Sequence, residues 1–516
     1  MKTSIYTNEM FVSAVICLAA ALLLHRIYRG RTKTYSIPLP PGPPGWPVVG
    51  NLFDLGRKPQ ETFVELQQKY GPVFMLRLGS RNTLVIASAD AATELFKNHD
   101  HSFRNRHQNE VISMGEDYAM PTGTRSYGPY WRMMRRLYAT KFFSHATIKN
   151  TAIKRRRCVE QLIQWISEEE KANRIVELRH FVFVSFFNLM GDLLFSRSLL
   201  DLQSGTGDEF YRFIEDMIQI SVKPNAADFF PFLRKLDPQN LQKKMRTAMD
   251  GAVNIIDVFV KERRTVEFSH DKHLEKDFWN VLMELEGNGK DEPKTLSDRQ
   301  INLLILEMFM GSTETTTSTI EWAMTELLLN PKVMRKIKAE IAQVIGHDRK
   351  IEESDIENLP YLAAVLKETM RLHPSIPLLI PRTNSEDTEF MGYMIPKDTQ
   401  VLVNVWGIGR DPASWNNPLL FNPDRYLGTN IDYRGQYFEL MPFGGGRRIC
   451  PGIPMAHQVL HLVLGSLIQC FDWTLEAGVT PETIDMGETL GMTLKKFIPL
   501  KVTPRASAIG GQHGGE

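Results

Sequence analysis

Cysteine is scarce in this chain of 516 residues, and its four copies are scattered. They are Cys17, Cys158, Cys450 and Cys470, and no Cys-x-x-Cys pair occurs among them. This usage excludes a disulfide framework and a cysteine-based zinc site, and it is typical of a reducing compartment. Three of the four occur in apolar or helical contexts in which a cysteine simply packs. Cys450 is the exception.

A charge excess of either sign is also lacking, since 61 Lys and Arg residues balance 60 Asp and Glu residues. No overall field favours nucleic acid, so we expect no nucleic-acid partner, and the basic run 154–157 is typical of a solvated helix face. The chain has no internal repeat and no flavin or dinucleotide fingerprint. Any redox chemistry must therefore draw its electrons from a separate partner.

A long apolar run lies at the N-terminus, where residues 10–24 carry no charge and a basic flank up to Lys33 follows. A membrane-spanning helix usually needs about 20 residues, and neighbouring apolar residues can lengthen this run. A cleaved signal peptide is the alternative, because its apolar part has a similar length. Because the basic flank follows the run, we favour the interpretation that residues 1–33 form a single membrane anchor. The rest of the chain is then cytosolic.

Proline is concentrated in residues 34–50, which predicts a stiff, extended hinge between the anchor and a globular body. Helical patterns dominate the body, residues 51–505, which we interpret as one mainly α-helical catalytic domain with a small β-sheet. The longest helix is predicted from about Ser297 to Leu329, before Asn330 and Pro331. A second apolar helix should follow Cys450, and residues 506–516 are predicted to be a disordered tail.

The run Phe443-Gly444-Gly445-Gly446-Arg447-Arg448-Ile449-Cys450-Pro451-Gly452 carries the most chemistry. Its glycines allow a tight turn and a close approach to a flat cofactor. Cys450 precedes a helix, whose free amides and dipole favour the thiolate that ligates haem iron. Arg448 can neutralise a haem propionate, and Phe443 can shield the sulfur from water. A glycine-rich turn with an incidental cysteine is the plain alternative, but the full spacing is far more specific.

This spacing resembles the haem-binding signature of cytochrome P450 enzymes, and further motifs agree in order from the proline hinge to about Pro499. The sequence as a whole resembles plant microsomal members that oxidise monoterpenoids, including geraniol hydroxylases and iridoid oxidases. The resemblance implies the cytochrome P450 fold with an N-terminal transmembrane anchor, haem b ligated by Cys450, and an endoplasmic reticulum location. It also implies NADPH–cytochrome P450 reductase as the electron donor, with cytochrome b5 as a further candidate.

In the long predicted helix, Gly311, Glu314, Thr315 and Thr316 match the family's oxygen-binding motif. The resemblance implies that Glu314 and Thr315 deliver protons during dioxygen activation, an acid–alcohol arrangement. Threonine hydroxyls can bond to carbonyls four residues earlier and bend the helix, which would open a groove. The sequence departs from the family at Ser312, where glycine is usual.

The resemblance assigns two further sets of residues. Glu368 and Arg371 form Glu-x-x-Arg, and with Arg425 they are expected to lock the fold beneath the haem. Trp131 and Arg135, on one helical face, and Arg382 are expected to contact the haem propionates. A separate pair, His457 and His461, lacks the His-Glu-x-x-His pattern of zinc enzymes, so we interpret it as packing or surface histidines.

We therefore predict a monooxygenase that uses O₂ and NADPH-derived electrons to hydroxylate or further oxidise a small apolar plant metabolite, a monoterpenoid or iridoid. Hydroxylation of a phenolic compound or an alkaloid is one alternative. A reductase-independent isomerase with the same fold, which would not need Glu314 and Thr315, is another, and a haem sensor is a third. The pocket is expected to be lined by residues 104–125, 308–315, 375–380 and 490–493, of which the first stretch is unusually polar.

Overall fold

The computed structural model describes residues 35–111, 114, 118–200, 202, 205–268, 277–346, 349–491 and 493–507. Helices dominate this part of the chain. They are α1 (Pro59–Tyr70), α2 (Ala89–Thr93), α3 (Pro129–Leu137), α4 (His145–Asn150), α5 (Ala152–Lys171), α6 (Leu178–Phe195), α7 (Gly205–Val222), α8 (Ala226–Phe229), α9 (Leu241–Phe268), α10 (Phe278–Met283), α11 (Asp298–Ser312), α12 (Glu314–Leu329), α13 (Pro331–Ile345), α14 (Pro360–Leu372), α15 (Val405–Ile408) and α16 (Ile453–Cys470).

The strands are short and form small sheets at the edge of the helical body. They are β1 (Val73–Leu78), β2 (Arg81–Ile86), β3 (Asn105–Arg106), β4 (Val176–Glu177), β5 (Arg382–Thr383), β6 (Thr388–Phe390), β7 (Tyr393–Ile395), β8 (Gln400–Val403), β9 (Phe471–Leu475), β10 (Glu488–Leu490), β11 (Leu494–Lys496) and β12 (Lys501–Ala506). The largest sheet has the order β1-β2-β8-β5-β3, and only its β2–β8 pair is parallel. The mainly helical architecture with a small sheet is as predicted.

The long predicted helix has the expected ends but is interrupted. Ser297 caps α11, where its hydroxyl accepts from Gln300 N and the Gln300 side chain accepts from Ser297 N, and α12 ends at Leu329 before Asn330 and Pro331. The two segments are separated at Thr313, whose hydroxyl donates to Phe309 O at 2.8 Å. The other predicted long helix is α16, which begins two residues after Pro451.

The proline-rich segment does not stand free of the body. Met75 N donates to Pro41 O and Met394 N donates to Pro38 O, each at 2.8 Å. Gly50 also forms a bridge with Leu78 of β1. The expected spacer is therefore docked along the sheet, because its carbonyl groups accept hydrogen bonds from strand amides that would otherwise lack partners.

The described residues include the predicted C-terminal boundary of the catalytic domain but not the predicted N-terminal anchor. The expected anchor, residues 1–33, lies outside the described residues. Strand β12 runs through Ala506, and Ser507 N donates to Cys470 O at 2.9 Å, so the folded body extends slightly past the predicted boundary at 505. The tail from residue 508 onward lies outside the described residues.

Most of the hydrophobic core lies among α5, α6, α9, α11, α12, α14 and α16. Helices α6 and α16 are long and apolar enough to cross a membrane, but 78% and 72% of their apolar windows are buried inside the protein. They are therefore core helices. The basic run 154–157 is only partly the solvated face expected, because Lys154 pairs with Asp192 and Arg155 with Glu353 in buried ion pairs.

Candidate active site

The loop before α16 is shaped by its glycines. Gly444 and Gly446 have φ angles of +72° and +65°, which residues with a side chain rarely adopt. A Cβ atom at Gly446 would also collide with the carboxylate of Asp100. Cys450 N donates to Phe443 O at 3.0 Å, so the loop closes on itself and presents the cysteine ahead of the helix.

The sulfur of Cys450 lies against the N-terminal amides of α16. The N–H groups of Gly452 and Ile453 hydrogen-bond to it, and together with nearby Arg135 they lower the pKa of the thiol. Burial is the larger effect, however, and the net result is a raised pKa. The amides therefore favour the predicted thiolate, but their effect on the pKa is smaller than the effect of burial. Cys450 would gain the remaining stabilisation of its thiolate by coordinating a metal cation, because a coordinating thiol is deprotonated.

Tyr433 connects Phe443 of this loop with the two histidines. The Phe443 ring centroid is 5.2 Å from that of Tyr433, whose hydroxyl is 2.7 Å from His457 Nδ1. His461 is buried, and its Nδ1 lies 2.6 Å from His457 O. Both histidines therefore pack within the body, in the first of the two roles expected from the sequence.

Buried arginines gather beside the cysteine loop. Arg448 donates to the main-chain carbonyls of Arg104, Thr122 and Arg125 at 2.5, 3.2 and 3.0 Å. Its guanidinium carbon lies 4.8 Å from the centroid of the Trp131 ring, and Trp131 Nε1 donates to Thr122 O at 3.2 Å. Burial and the neighbouring Arg382 lower the pKa of Arg448 to about 10.

Arg382 and Arg135 interact with different groups. Arg382 donates to Asp100 Oδ1 and to Gly445 O, both at 2.7 Å. Arg135 is half-buried on α3, and its pKa is lowered by burial but raised by Cys450. Trp131 and Arg135 share a helix as predicted, yet Trp131 stacks under Arg448 whereas Arg135 acts electrostatically on the cysteine.

The residues present fit a haem group. Arg106, Arg382 and Arg448 are all buried and repel one another, and burial lowers the pKa of each. Asp100 is the only carboxylate that forms an ion pair with any of these three among the described residues. Such an excess of buried positive charge suits the two carboxylates of a haem.

An open space faces the interruption between α11 and α12. In α11 and α12, the residues on either side of the interruption are almost all buried. Gly311, however, is exposed, and Ser312, Thr315 and Thr316 are only half-buried. A methyl group added at Gly311 would meet no atom within 4 Å. Cys450 likewise keeps accessible surface although its loop is packed. The exposed face at Gly311 and the accessible sulfur of Cys450 therefore fit a flat cofactor with a sulfur ligand.

Hydroxyl groups in the interrupted helix bond to its own backbone. Thr315 Oγ1 donates to Gly311 O at 2.8 Å, and Thr316 Oγ1 donates to Ser312 O at 2.7 Å. The Ser312 hydroxyl donates to Phe309 O at 3.3 Å, so this departure from the family motif makes a local bond. Glu314 is buried, and its Oε1 lies 3.3 Å from Lys495 Nζ.

Glu368, Arg371 and Arg425 are brought together in a buried ion network. Arg371 donates through Nε and Nη2 to the two oxygens of Glu368 at 2.7 and 2.8 Å. Arg425 Nε donates to Glu368 Oε1 at 3.0 Å, as does Asn422 N at 2.8 Å. Arg371 also donates to the carbonyls of Gly409, Pro418 and Leu420, which ties α14 to the loop that precedes Arg425.

The family model for cytochrome P450 matches residues 40–501 of the chain. The chain belongs to the cytochrome P450 family. This cytochrome P450 is accordingly an oxidoreductase that incorporates oxygen, and membership implies a cysteine-ligated haem supplied with electrons by a reductase.

Plant proteins resemble this cytochrome P450 over nearly its whole length. Cytochrome P450 76A2 of Solanum melongena is 47% identical over 502 residues, which cover 96% of this chain and 99% of that protein. Iridoid oxidase of Catharanthus roseus is 45% identical over 511 residues, 98% and 99% of the two chains. Drimenol monooxygenase of Persicaria hydropiper is 36% identical over 494 residues, 96% and 97% of the two chains.

Several residues of this site had no signal in the sequence. Asp100 pairs with Arg382 and Arg447 across more than 280 positions of chain, in no recognisable motif. Lys495, the partner of Glu314, lies in a strand near the C-terminus. Arg106 and Thr122 fall inside the stretch 104–125. The unusual polarity of this stretch was the sequence signal that could have pointed to them.

Proposed function

We propose that this cytochrome P450 hydroxylates or further oxidises a small apolar monoterpenoid or iridoid. One oxygen atom of O₂ enters the substrate and the other leaves as water, with electrons derived from NADPH. The observation that carries the substrate class is the 45% identity to iridoid oxidase over 98% of this chain. The name of drimenol monooxygenase, at 36% identity, points to the same broad class.

The apolar segments expected to line the pocket lie next to one another, which supports a compact substrate. Ser375 Oγ donates to Thr315 O at 3.1 Å, and Leu494 N donates to Ser375 O at 2.7 Å. The oxygen helix, residues 375–380 and the turn between β10 and β11 are thereby joined. Leucine and isoleucine predominate in residues 375–380, and the other two segments contribute Met308, Met310 and Leu490. A compact apolar ligand suits such side chains.

We assign Cys450 as the iron ligand, with Phe443 limiting the access of water to the sulfur. Trp131, Arg135, Arg382 and Arg448 hold the propionate side of the haem. The bound haem supplies dioxygen activation. The arginines are suited to their role because their guanidinium groups are buried with few carboxylate partners, and a buried charge without a partner is costly.

Glu314 and Thr315 are the proposed route for protons. The Thr315 hydroxyl lies at the helix interruption, beside the open space at Gly311, and can exchange its bond to Gly311 O for a bond to a water molecule. Glu314 is adjacent and shares Lys495 with Glu215, which lies 2.8 Å from the same ammonium group. An acid and an alcohol that are adjacent in the chain suit the delivery of protons to a reacting group.

Glu368, Arg371 and Arg425 are proposed to be architectural rather than catalytic. These side chains form ion pairs with one another and hydrogen bonds with backbone groups. They therefore have no charged group available to bind a substrate. The resulting network joins α14 to the loop 409–425, which leads on toward the cysteine loop.

We further propose that residues 1–33 anchor the protein in the endoplasmic reticulum membrane by a single span, followed by the segment 34–50 and a cytosolic catalytic domain. NADPH–cytochrome P450 reductase of the same membrane would then be the electron donor, with cytochrome b5 as an accessory candidate. The sequence supports this through the apolar run 10–24 and its basic flank.

The test is a turnover assay in yeast microsomes that contain the full chain and a plant reductase. Geraniol, an iridoid alcohol, a simple phenol and an alkaloid are offered separately, and product is measured with NADPH consumption. We expect oxygenated terpenoid products that depend on reductase and O₂. The matched variant Cys450→Ala should lose both turnover and the thiolate-type carbon monoxide difference band, because the iron loses its sulfur ligand.

The other outcomes would contradict the proposal in distinct ways. Products from the phenol or alkaloid alone would overturn the substrate class. Product formed without reductase would indicate a rearrangement enzyme, and a haem spectrum with no NADPH consumption on any compound would indicate a sensor.

A further inference from the structure

The carboxylate of Glu307 fastens a loop to the oxygen helix. Glu307 lies one helical turn before Gly311 in α11, against residues 118–128, which we call the roof loop. Thr122 N lies 3.0 and 3.1 Å from its two oxygens, and Thr122 Oγ1 donates to Oε1 at 2.9 Å. Gly123 N donates to Oε1 at 2.5 Å, and Tyr138 Oη donates to Oε2 at 3.3 Å. One side chain thus accepts from two consecutive amides and two hydroxyls.

Thr122 connects this carboxylate to the cysteine-loop side of the site. Its N–H and hydroxyl donate to Glu307, whereas its carbonyl accepts from Trp131 Nε1 and from Arg448 Nη1, both at 3.2 Å. Arg448 is two residues from Cys450. Through Thr122, the oxygen helix and the proposed propionate side of the haem are two hydrogen bonds apart.

Gly123, the next residue of the roof loop, is held from a second side by Arg106. Gly123 O accepts from Arg106 Nε at 2.9 Å, and Arg106 also donates to Ile380 O at 2.7 Å. A Cβ atom at Gly123 would lie 3.1 Å from Glu307 Oε1, so the loop approaches the carboxylate as closely as a residue without a side chain permits. Glu307 and Arg106 together therefore fix the backbone of the roof loop at Thr122 and Gly123.

Burial makes these hydrogen bonds necessary. Burial raises the pKa of Glu307, while the donors on Gly123, Thr122 and Tyr138 lower it. No ion pair includes Glu307 in the part of the chain that the structure describes. The roof loop is thus its principal source of donors, and a buried carboxylate without donors is costly.

We propose that Glu307 is a positioning residue that fixes the height of the roof loop over the substrate space and thereby selects ligands by size. It acts through Thr122 and Gly123 rather than on the reacting atoms. The inference rests on the proposed haem site, but not on the identity of the substrate. A ligand that fills the space beneath the roof loop should depend on Glu307, and a ligand that touches only the haem should not.

The first measurement is hydrogen–deuterium exchange of the haem-loaded full chain. In Glu307→Gln, an amide nitrogen replaces one acceptor oxygen, so we expect peptides within 118–128 to exchange about tenfold faster. Peptides from α16 should be unchanged. Unchanged exchange in the roof loop would overturn the proposal.

The second measurement uses two haem ligands, imidazole and 4-phenylimidazole, titrated at the Soret band. The phenyl group extends into the substrate space, whereas imidazole alone does not. We expect 4-phenylimidazole to lose about fivefold in affinity relative to imidazole in Glu307→Gln, because the roof loop no longer packs against it. An equal effect on both ligands would overturn the selection of ligands by size.

Glu340→Gln is the matched control. Glu340 is also partly buried, and it accepts from two consecutive amides, Tyr361 N and Leu362 N, at 2.7 and 2.9 Å. It should lower thermal stability without altering roof-loop exchange or the ligand ratio. If it reproduces the Glu307→Gln changes, the effect is general loosening and the proposal fails.

A milder variant covers the case in which Glu307→Gln does not load haem. Thr122→Val removes one donor and keeps the amide, so it should shift the exchange and the ligand ratio in the same directions by a smaller amount. An unchanged Thr122→Val protein would then overturn the proposal.

Discussion

The two residues proposed to deliver protons have contrasting surroundings. Thr315 is half-buried at the helix interruption, with its hydroxyl on Gly311 O, whereas Glu314 is buried against Lys495. Lys495 is in turn shared with Glu215 of α7. The acid of the pair is therefore held in place by a cation from a distant strand, and the alcohol is the member beside the open space.

Replacing Thr315 by alanine should separate electron use from product formation. A positioned proton donor contributes about 100-fold or more, and water can replace part of this, so we expect product per NADPH to fall by about tenfold. The carbon monoxide difference band should persist, because Cys450 is untouched. The measurement is product, peroxide and NADPH consumption in the same assay.

Thr325→Ala is the control for that substitution. Thr325 makes the same type of bond, to Glu321 O at 2.8 Å, but lies buried farther along α12. It should leave coupling unchanged. Normal coupling in the Thr315→Ala enzyme would exclude Thr315 from the proton route.

At the scale of elements, the Glu368 network joins α14 to the loop 409–425. Glu368→Gln should leave the guanidinium groups of Arg371 and Arg425 buried without a full countercharge. Removing one partner of a buried ion pair typically costs about 3–5 kcal/mol, so we expect a loss of that order in the free energy of unfolding. Urea titration followed by circular dichroism and haem absorbance measures it.

An exposed pair provides the comparison. Glu61 pairs with Lys58 at 2.9 Å on the solvent side of α1. Pairs of this kind contribute at most about 1 kcal/mol, so Glu61→Gln should be nearly neutral. Equal losses in the two variants would argue against an architectural role for Glu368.

At the scale of the whole molecule, the proposed anchor should decide where the protein resides. Removal of residues 1–33 should release most of the protein from the microsomal pellet while its haem spectrum remains. Met75 and Met394 hold the proline-rich segment at Pro41 and Pro38, so these contacts are retained in the shortened protein. Sedimentation after carbonate washing is the measurement.

A second variant keeps the chain length. Leu22→Arg together with Leu23→Arg places two charges within the apolar run, at a cost of about 2.5–3.5 kcal/mol each in a membrane span. It should also weaken membrane retention. If both variants remain in the pellet, the run 10–24 is not the anchor.

The sequence predicted the helical class, the two long helices and the cysteine loop because each depends on local order. Glycines that need positive φ, a capping serine at 297 and a proline stop at 331 act within a few residues. The interruption at Thr313 was foreshadowed by the run of hydroxyl side chains, although its position was not. The signature spacing around Cys450 is local too, and it sufficed to predict the family.

The partners of the site residues depend on tertiary structure alone. Asp100 reaches Arg382, Lys495 reaches Glu314, and Thr122 reaches Glu307 and Arg448 across separations that leave no periodic pattern. Hydrogen bonds and ion pairs act over a few ångströms, so which groups meet is decided only when helices and loops pack. The sequence by itself determined the chemistry available to this protein, and the packed fold decided which side chains hold each other in position to use it.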